Sequence, residues 1–163
     1  MARTVATVGV YGFTPEHFLQ SLRRAGVRLL IDVRQRRGVR GSEYAWANAR
    51  RLQEALASAG IAYSHRRELA PTTELRQLQY REDDRRGVGK RSRSELAPEY
   101  RERYVKEILD RVDLSRVVEE MPADGVSALF CVERDPEACH RSLIADRLAE
   151  QFRLAIVHLR PLT

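Results

Sequence analysis

Short apolar runs rich in β-branched residues alternate along this chain with segments of helical periodicity. These strand-like runs are residues 5–10, 27–33, 61–63, 126–132 and 154–159. Two of the intervening helices are predicted to start at an N-cap followed by a proline and an acid, at Thr14-Pro15-Glu16 and Asp135-Pro136-Glu137. Strands that alternate with helices predict an α/β fold: a mostly parallel five-stranded sheet flanked by helices on both faces.

The whole chain, 1–163, is predicted to form a single α/β domain. Its 163 residues, 43% of them hydrophobic, suit one packed core better than two. Between 66 and 97 the apolar periodicity lapses, except for a helical turn or two over 74–80. We expect this segment to be a long, basic, loop-rich insertion after the third strand, although such a length is unusual for a connection without secondary structure.

The composition bears on whether the protein spans a membrane, is secreted or is stabilised by disulfides. The 29 Lys and Arg residues exceed the 23 Asp and Glu, which gives a formal charge of +6, and all but Lys90 and Lys106 of the basic residues are Arg. No stretch approaches the roughly 18 uncharged apolar residues that a membrane span requires. The first residues do not resemble a signal peptide. The two cysteines are too few for a disulfide framework, so we expect a reduced, cytoplasmic location.

Two segments that are poor in apolar residues are rich in basic residues. Six arginines and one acid lie between positions 34 and 51, and a second basic cluster spans 85–93. Such loops favour an anionic partner, because guanidinium groups match the geometry of phosphate and carboxylate groups. A simple solvated surface explains the same pattern.

Polar residues follow or end each predicted strand. They are Tyr11, Asp32, Arg34, His65, Glu68, Cys131, Glu133, His158 and Arg160. In an open parallel sheet the carboxyl ends of the strands share one edge, where ligands bind. We therefore expect these side chains to converge on one rim, where carboxylates beside Arg and His suit acid–base chemistry. Any one of them alone is better explained by a structural hydrogen bond, and it is their convergence that indicates a site.

The segment 131–142 carries the most distinctive chemistry. With Asp135 as N-cap, Cys139 and His140 are expected in or just after the first turn of a helix. A thiol there, beside Arg or His, has a lowered pKa and acts as a nucleophile or a metal ligand, whereas a buried inert cysteine is the plain alternative. Cys131, Cys139, His140 and His65 are also candidates for a tetrahedral metal site, but their spacing is not that of a zinc finger.

Four segments together resemble the domain of unknown function family 488. The signature Cys-x-Glu-x-x-Pro-x-x-Cys-His-Arg-Ser is formed by Cys131, Glu133, Pro136, Cys139, His140, Arg141 and Ser142. The other matching segments are Thr7-Val8-Gly9 with 12–19, Leu30-Ile31-Asp32-Val33-Arg34, and Tyr63-Ser64-His65-Arg66-Arg67-Glu68-Leu69. The chain departs from the family pattern at Val10 and Ala70. The resemblance implies a compact α/β domain with these polar residues clustered, and it implies no particular activity.

These observations predict an enzyme that acts on an anionic, phosphate-bearing substrate such as a nucleotide or nucleic acid. The expected catalytic residues are Asp32, His65, Glu68, Glu133, Cys139 and His140. Of these, Cys139 is expected to be a nucleophile or a redox thiol, with His140 as its partner. The expected anion-binding residues are Arg34, Arg36, Arg37, Arg141 and Ser142. We expect no cofactor, no bound metal and no membrane partner. The alternatives are a non-catalytic nucleic-acid-binding module that uses the Arg-rich loops, and a metal-dependent hydrolase.

Overall fold

A computed structural model describes residues 3–162 of the chain. Five strands form one sheet: β1 (Thr4–Val8), β2 (Val27–Asp32), β3 (Ala62–His65), β4 (Val126–Phe130) and β5 (Ala155–Leu159). Their order across the sheet is β3-β2-β4-β1-β5, and every neighbouring pair is parallel. The α/β fold with a five-stranded parallel sheet is therefore confirmed.

The six α-helices are α1 (Pro15–Arg24), α2 (Ala49–Ser58), α3 (Thr73–Arg86), α4 (Pro98–Glu107), α5 (Leu114–Glu120) and α6 (His140–Phe152). From β1 through β2 to β3 the chain moves towards one edge of the sheet, and from β4 to β5 it moves the opposite way. Because such crossovers are right-handed, α1 and α2 cover one face and α6 covers the other. The contacts of α4 with α3 and with α6 place these three helices together.

The core lies on both sides of the three central strands. Val5, Leu30 and Leu129 are fully buried, as expected for strands that are covered by helices on both faces. One face receives Phe18 and Leu22 from α1, together with side chains of α2, because these residues recur at helical spacing. No helix within residues 3–162 is both long enough and apolar enough to cross a membrane.

The segment 66–97 contains more regular structure than a turn or two of helix. A short 3₁₀ turn (Arg67–Leu69) precedes α3, which has 14 residues and is followed by Gly87 as C-cap in the left-handed conformation. α3 buries Gln79 and Asp83 beside its leucines, so its inner face is partly polar. An apolar periodicity cannot reveal a helix whose inner face carries hydrogen-bonding groups.

The start of α6 differs from the expectation that Asp135 caps it. Pro136–Ala138 form a separate 3₁₀ turn, the backbone is extended at Cys139, and the helix begins at His140. Cys139 is itself the N-cap, and its Sγ accepts the backbone N–H of Arg141 at 3.5 Å. Asp135 is the N-cap of this 3₁₀ turn, and Cys139 follows the turn directly, within the expected range. The thiol therefore also lies at the N-terminus of α6.

Candidate active site

The carboxyl ends of the central strands lie level with one another. Asp32 of β2 pairs in register with Phe130 of β4 and with His65 of β3, and Val8 of β1 also pairs with Phe130. The loop that follows β4 therefore leaves the sheet at the centre of this edge. It carries Cys131 and Glu133 and leads to Cys139 at the start of α6.

Two thiols and one imidazole form a buried cluster at this edge. His140 Nδ1 lies 3.6 Å from the Sγ of Cys139 and 3.9 Å from the Sγ of Cys131. His140 Nε2 lies 2.8 Å from the carbonyl oxygen of Val33, which can only accept, so Nε2 carries a proton. This contact fixes the ring so that Nδ1 faces the sulfur atoms and can exchange a proton with Cys139.

The two thiols have different acidities. Burial opposes ionisation of Cys139, but a hydrogen bond from Cys131 and the charges of His140 and Arg141 outweigh it and lower the pKa of Cys139 to about 5. Burial raises the pKa of Cys131 well above its ordinary value, and the neighbouring Cys139 sulfur adds to the effect. At neutral pH Cys139 is therefore a thiolate, the form that reacts as a nucleophile, and Cys131 is a thiol that donates to it.

Glu133 belongs to a second buried polar group beside the thiols. Arg93 joins two acids: its Nη2 donates to Glu133 Oε1 at 2.8 Å and its Nη1 donates to Asp83 Oδ2 at 2.7 Å. Burial opposes ionisation of Glu133, but Lys90, Arg93 and His140 outweigh it and lower the pKa of Glu133 to about 2. Glu133 is thus a permanent anion that neutralises part of the charge of Lys90 and Arg93.

These groups line one small pocket. Its lining includes Cys131, Glu133, Cys139, His140 and the cationic side chains of Arg36, Arg76, Lys90 and Arg93. The cavity volume is about 50 Å³, which exceeds the roughly 10–15 Å³ that one water molecule needs. Within residues 3–162, Glu133 Oε2 and Arg93 Nε are buried without a hydrogen-bond partner. The pocket therefore has room and unused polar atoms for a small ligand.

Asp32 and Arg34 form a buried ion pair next to this pocket. Arg34 donates from Nε and Nη2 to the two carboxylate oxygens at 2.9 and 2.8 Å, and Tyr63 donates its hydroxyl to Asp32 at 2.6 Å. Arg34 also donates to the carbonyl oxygen of Ala47 at 2.9 Å. Arg34 lines the pocket, but its guanidinium is committed to Asp32, and Asp32 does not line it. This pair holds together the loops that follow β2.

Three other predicted residues support the backbone near the site. Arg141 is fully buried and donates to the carbonyl oxygens of Glu133 at 2.7 Å and Arg134 at 3.2 Å. The Ser142 hydroxyl donates to the carbonyl oxygen of Cys139 at 2.9 Å. His65 Nε2 lies 2.9 Å from the carbonyl oxygen of Arg34. Arg141, Ser142 and His65 do not line the pocket, so they are positioned to hold the loops and not to touch a ligand there.

The remaining predicted residues are dispersed. Arg36 is exposed and lines the pocket, whereas Arg37 does not line it and lies 3.4 Å from the hydroxyl of Tyr63. Glu68 is exposed and lies 3.6 Å from Arg66, in a different cavity. The structure thus separates Glu68 from the thiols, because the chain turns away from the sheet edge directly after β3.

Sequence reasoning placed neither Lys90 nor Arg93 among the site residues. Lys90 and Arg93 were identified only as members of a basic cluster in a loop that faces an anionic partner or solvent, but Arg93 is 7% exposed. Its acid partner Asp83 lies four residues after Gln79, whose amide donates to Asp83 at 2.9 Å. Two polar residues at this spacing on the inner face of a helix are the signal that could have indicated a buried polar cluster.

A metal ion is the other occupant that the cluster fits. The ligand atoms of Cys131, Cys139 and His140 all lie within 4.8 Å of one another. Tetrahedral zinc with ordinary bond lengths sets its sulfur and nitrogen ligands about 3.6 Å apart, close to the observed separations. The His140 contact with a backbone carbonyl is also typical of a metal-binding histidine. His65 is not part of this cluster, since its Nε2 faces the carbonyl oxygen of Arg34.

Comparison with known proteins gives a match to a family model. No match was found among curated proteins or among solved structures. A family model does match, and its span runs from the N-cap of α1 to the last turns of α6. It includes Cys131, Glu133, Cys139 and His140. With residues 14–148 matched, the chain belongs to the family described as "Domain of unknown function DUF488".

Proposed function

We propose that this protein is an enzyme in which the Cys139 thiolate attacks an anionic, phosphate-bearing substrate. The observation that carries the proposal is the position of Cys139 Sγ at the N-terminus of α6, beside His140 and in a pocket with Lys90 and Arg93. A helix N-terminus and basic side chains stabilise both the thiolate and an incoming anion. The nucleophile and its substrate group are thus attracted to the same place.

Phosphoryl transfer is the reaction that fits these groups. Cys139 Sγ forms a bond to phosphorus as the bond from phosphorus to the leaving oxygen breaks, and the leaving oxygen takes a proton from the His140 imidazolium. Burial opposes protonation of His140, but the nearby Cys139 thiolate outweighs it and raises the pKa of His140, which suits this acid role. Water then attacks phosphorus, gives a proton to His140, and releases phosphate and the thiolate.

Lys90 and Arg93 stabilise the negative charge on the phosphoryl oxygens. Glu133 holds Arg93 in place through the 2.8 Å contact, and Arg141 fixes the loop that carries Glu133. Fixed donors of this kind lower the barrier because they need no reorganisation during the reaction. Asp32, His65 and Glu68 have no step in this scheme.

The test compares two alkylating reagents on the native protein. Iodoacetate is anionic and iodoacetamide is neutral, and mass spectrometry of peptides measures the modification of each cysteine separately. We expect Cys139 to react at neutral pH, to favour iodoacetate more than a free thiol does, and to be protected by inorganic phosphate. Cys131, whose pKa is raised, is the control within the same molecule. An unreactive Cys139, or one with no preference for the anion, would refute the proposal.

The activity test uses a panel of phosphate monoesters with release of phosphate as the readout. Cys139→Ser should abolish release, because a serine hydroxyl is not ionised at neutral pH. Cys131→Ser should retain part of the activity, since its hydroxyl can still donate to the thiolate. Equal activity in the wild type and in Cys139→Ser would exclude a nucleophilic role for Cys139.

A metal-dependent hydrolase is the second candidate, and the spacing of Cys131, Cys139 and His140 favours it. Elemental analysis of the purified protein separates the two. One zinc or iron per chain that is lost equally in Cys131→Ser and Cys139→Ser indicates a metal site. Absence of metal together with an alkylated Cys139 supports the thiolate enzyme.

A further inference from the structure

A wider basic groove joins the pocket. Its cavity volume is about 680 Å³, compared with about 50 Å³ for the pocket that holds Cys139. The two cavities share Arg36, Arg76, Tyr80 and Lys90 in their linings, so they adjoin one another. A ligand whose end enters the pocket therefore has its remaining part in this groove.

The charge of the groove is largely uncompensated. Within residues 3–162, no carboxylate oxygen lies within 4.0 Å of a charged nitrogen of Arg36, Arg40, Arg76 or Lys90. Many other arginines of the chain do have such a partner. Arg91 of the same groove is an example, at 3.0 Å from Glu43. Glu133 offsets the charge of Lys90 only in part, and Arg36, Arg40 and Arg76 have no carboxylate at this distance within residues 3–162. A concave surface with this excess of positive charge attracts a ligand with several negative charges.

Aromatic rings lie beside the cations of the groove. The guanidinium of Arg91 lies 5.2 Å from the ring centre of Tyr11 and 5.1 Å from that of Tyr44, and Arg76 lies 5.7 Å from that of Tyr80. Tyr80 is half-buried in the wall that both cavities share. Tyrosine rings and guanidinium planes are the surfaces on which nucleobases stack.

We infer that the groove binds the linked phosphates and the base of a nucleotide, whose end phosphate reaches Cys139. This inference rests on the proposed function and names its substrate class. A nucleoside polyphosphate and the phosphorylated end of a single nucleic-acid strand share this chemistry. An isolated phosphate fills only the small pocket and leaves Arg40 and the rest of the groove without a ligand.

Calorimetric binding to four probes tests the inference on the full-length protein. The probes are inorganic phosphate, tripolyphosphate, ATP and a short single strand with a 5′-phosphate. Each phosphate contacted by a basic side chain adds to the salt dependence of binding. We expect ATP to bind at least about tenfold more tightly than inorganic phosphate at low salt, and the advantage to shrink as salt is added.

Paired variants assign the effect to the groove. Arg40→Gln with Arg91→Gln should weaken ATP binding about tenfold, lower the slope of its salt dependence, and leave inorganic phosphate binding unchanged, because both side chains line the groove and not the small pocket. The control combines Arg23→Gln with Arg24→Gln. It removes the same charge at the exposed carboxyl end of α1 and should change ATP binding less than about twofold.

The outcomes test nucleotide binding in the groove and the nucleophilic role of Cys139 separately. Equal affinities for ATP and phosphate, or equal losses in the two double variants, would overturn the inference. Nucleotide binding by Cys139→Ser with phosphate release equal to that of the wild type would support the groove and count against the nucleophile. Strand binding that inorganic phosphate does not compete with would overturn the link to the pocket and indicate a nucleic-acid-binding module. A strand that binds more tightly than ATP identifies a nucleic-acid end as the source of the nucleotide.

Discussion

Removal of the Cys131 thiol should raise the pKa of Cys139. The structure gives Cys139 a pKa of about 5 although the residue is 1% exposed, and the hydrogen bond from Cys131 is the main factor that lowers it. A hydrogen bond to a charged group contributes about 1.5–3 kcal/mol, which corresponds to a change of roughly 1–2 pKa units. In Cys131→Ala we therefore expect the pKa of Cys139 to rise to about 6–7. His140 and Arg141 still favour the thiolate in this variant.

Ultraviolet absorbance of the thiolate as a function of pH measures this pKa without any need for a reagent to enter the pocket. The wild type should show one thiolate that forms near pH 5, and Cys139→Ala should lose this transition because Cys131 stays protonated. A wild-type transition near the ordinary value of about 8.5, or no change in Cys131→Ala, would refute the reasoning.

The lowered pKa of Cys139 also makes the stability of the fold depend on pH. Because the folded-state pKa of Cys139 lies below the unfolded value, the thiolate contributes stability above the unfolded pKa of about 8.5. This contribution decreases as the pH falls and is lost below the folded pKa of about 5. Chemical denaturation of the wild type and of Cys139→Ala across this range measures the difference.

Two further predictions concern the frame of the site. Asp32→Ala leaves the buried guanidinium of Arg34 without its partner and should lower the free energy of unfolding by about 3–5 kcal/mol in chemical denaturation. Asp124→Ala, which removes an exposed carboxylate from a 3.9 Å pair, should cost less than about 1 kcal/mol; an equal cost would contradict the argument. Gly9→Ala places a Cβ against the backbone carbonyl of Glu133 and should lower the free energy of unfolding by about 1–3 kcal/mol. Gly89→Ala is the control: its Cβ meets nothing within 4 Å, and the free energy of unfolding should change by less than about 0.5 kcal/mol.

The sheet was predictable because its strands are buried on both faces. Runs such as 27–33 and 126–132 consist almost entirely of apolar residues, and only the interior of a parallel sheet accommodates them. The helices α1 and α2 were predictable from their apolar spacing. α3 and the start of α6 were harder to predict. α3 turns Gln79 and Asp83 inwards, and the N-terminal boundary of α6 depends on a 3₁₀ turn.

Part of the candidate site followed from the same reasoning. Polar residues after parallel strands meet at one edge, and Cys131, Glu133, Cys139 and His140 do line one pocket. Glu68 lies elsewhere although it follows a strand, because the chain turns away after β3. Proximity in sequence to a strand end thus places a residue near the edge without deciding which way its side chain points.

The order of residues by itself determined the alternation of strands and helices, because local apolar periodicity decides which faces are buried. It also placed the cysteine–histidine segment directly after a central strand. Only the tertiary structure decided which charges work together. Arg93 reaches Glu133 across 40 positions of sequence, and Arg34 is neutralised by Asp32 whereas Arg36 has no carboxylate partner within residues 3–162 and lines the pocket. The interaction energy of a charged side chain depends on its burial and on its partners in space, and neither is set by the neighbouring residues in the chain.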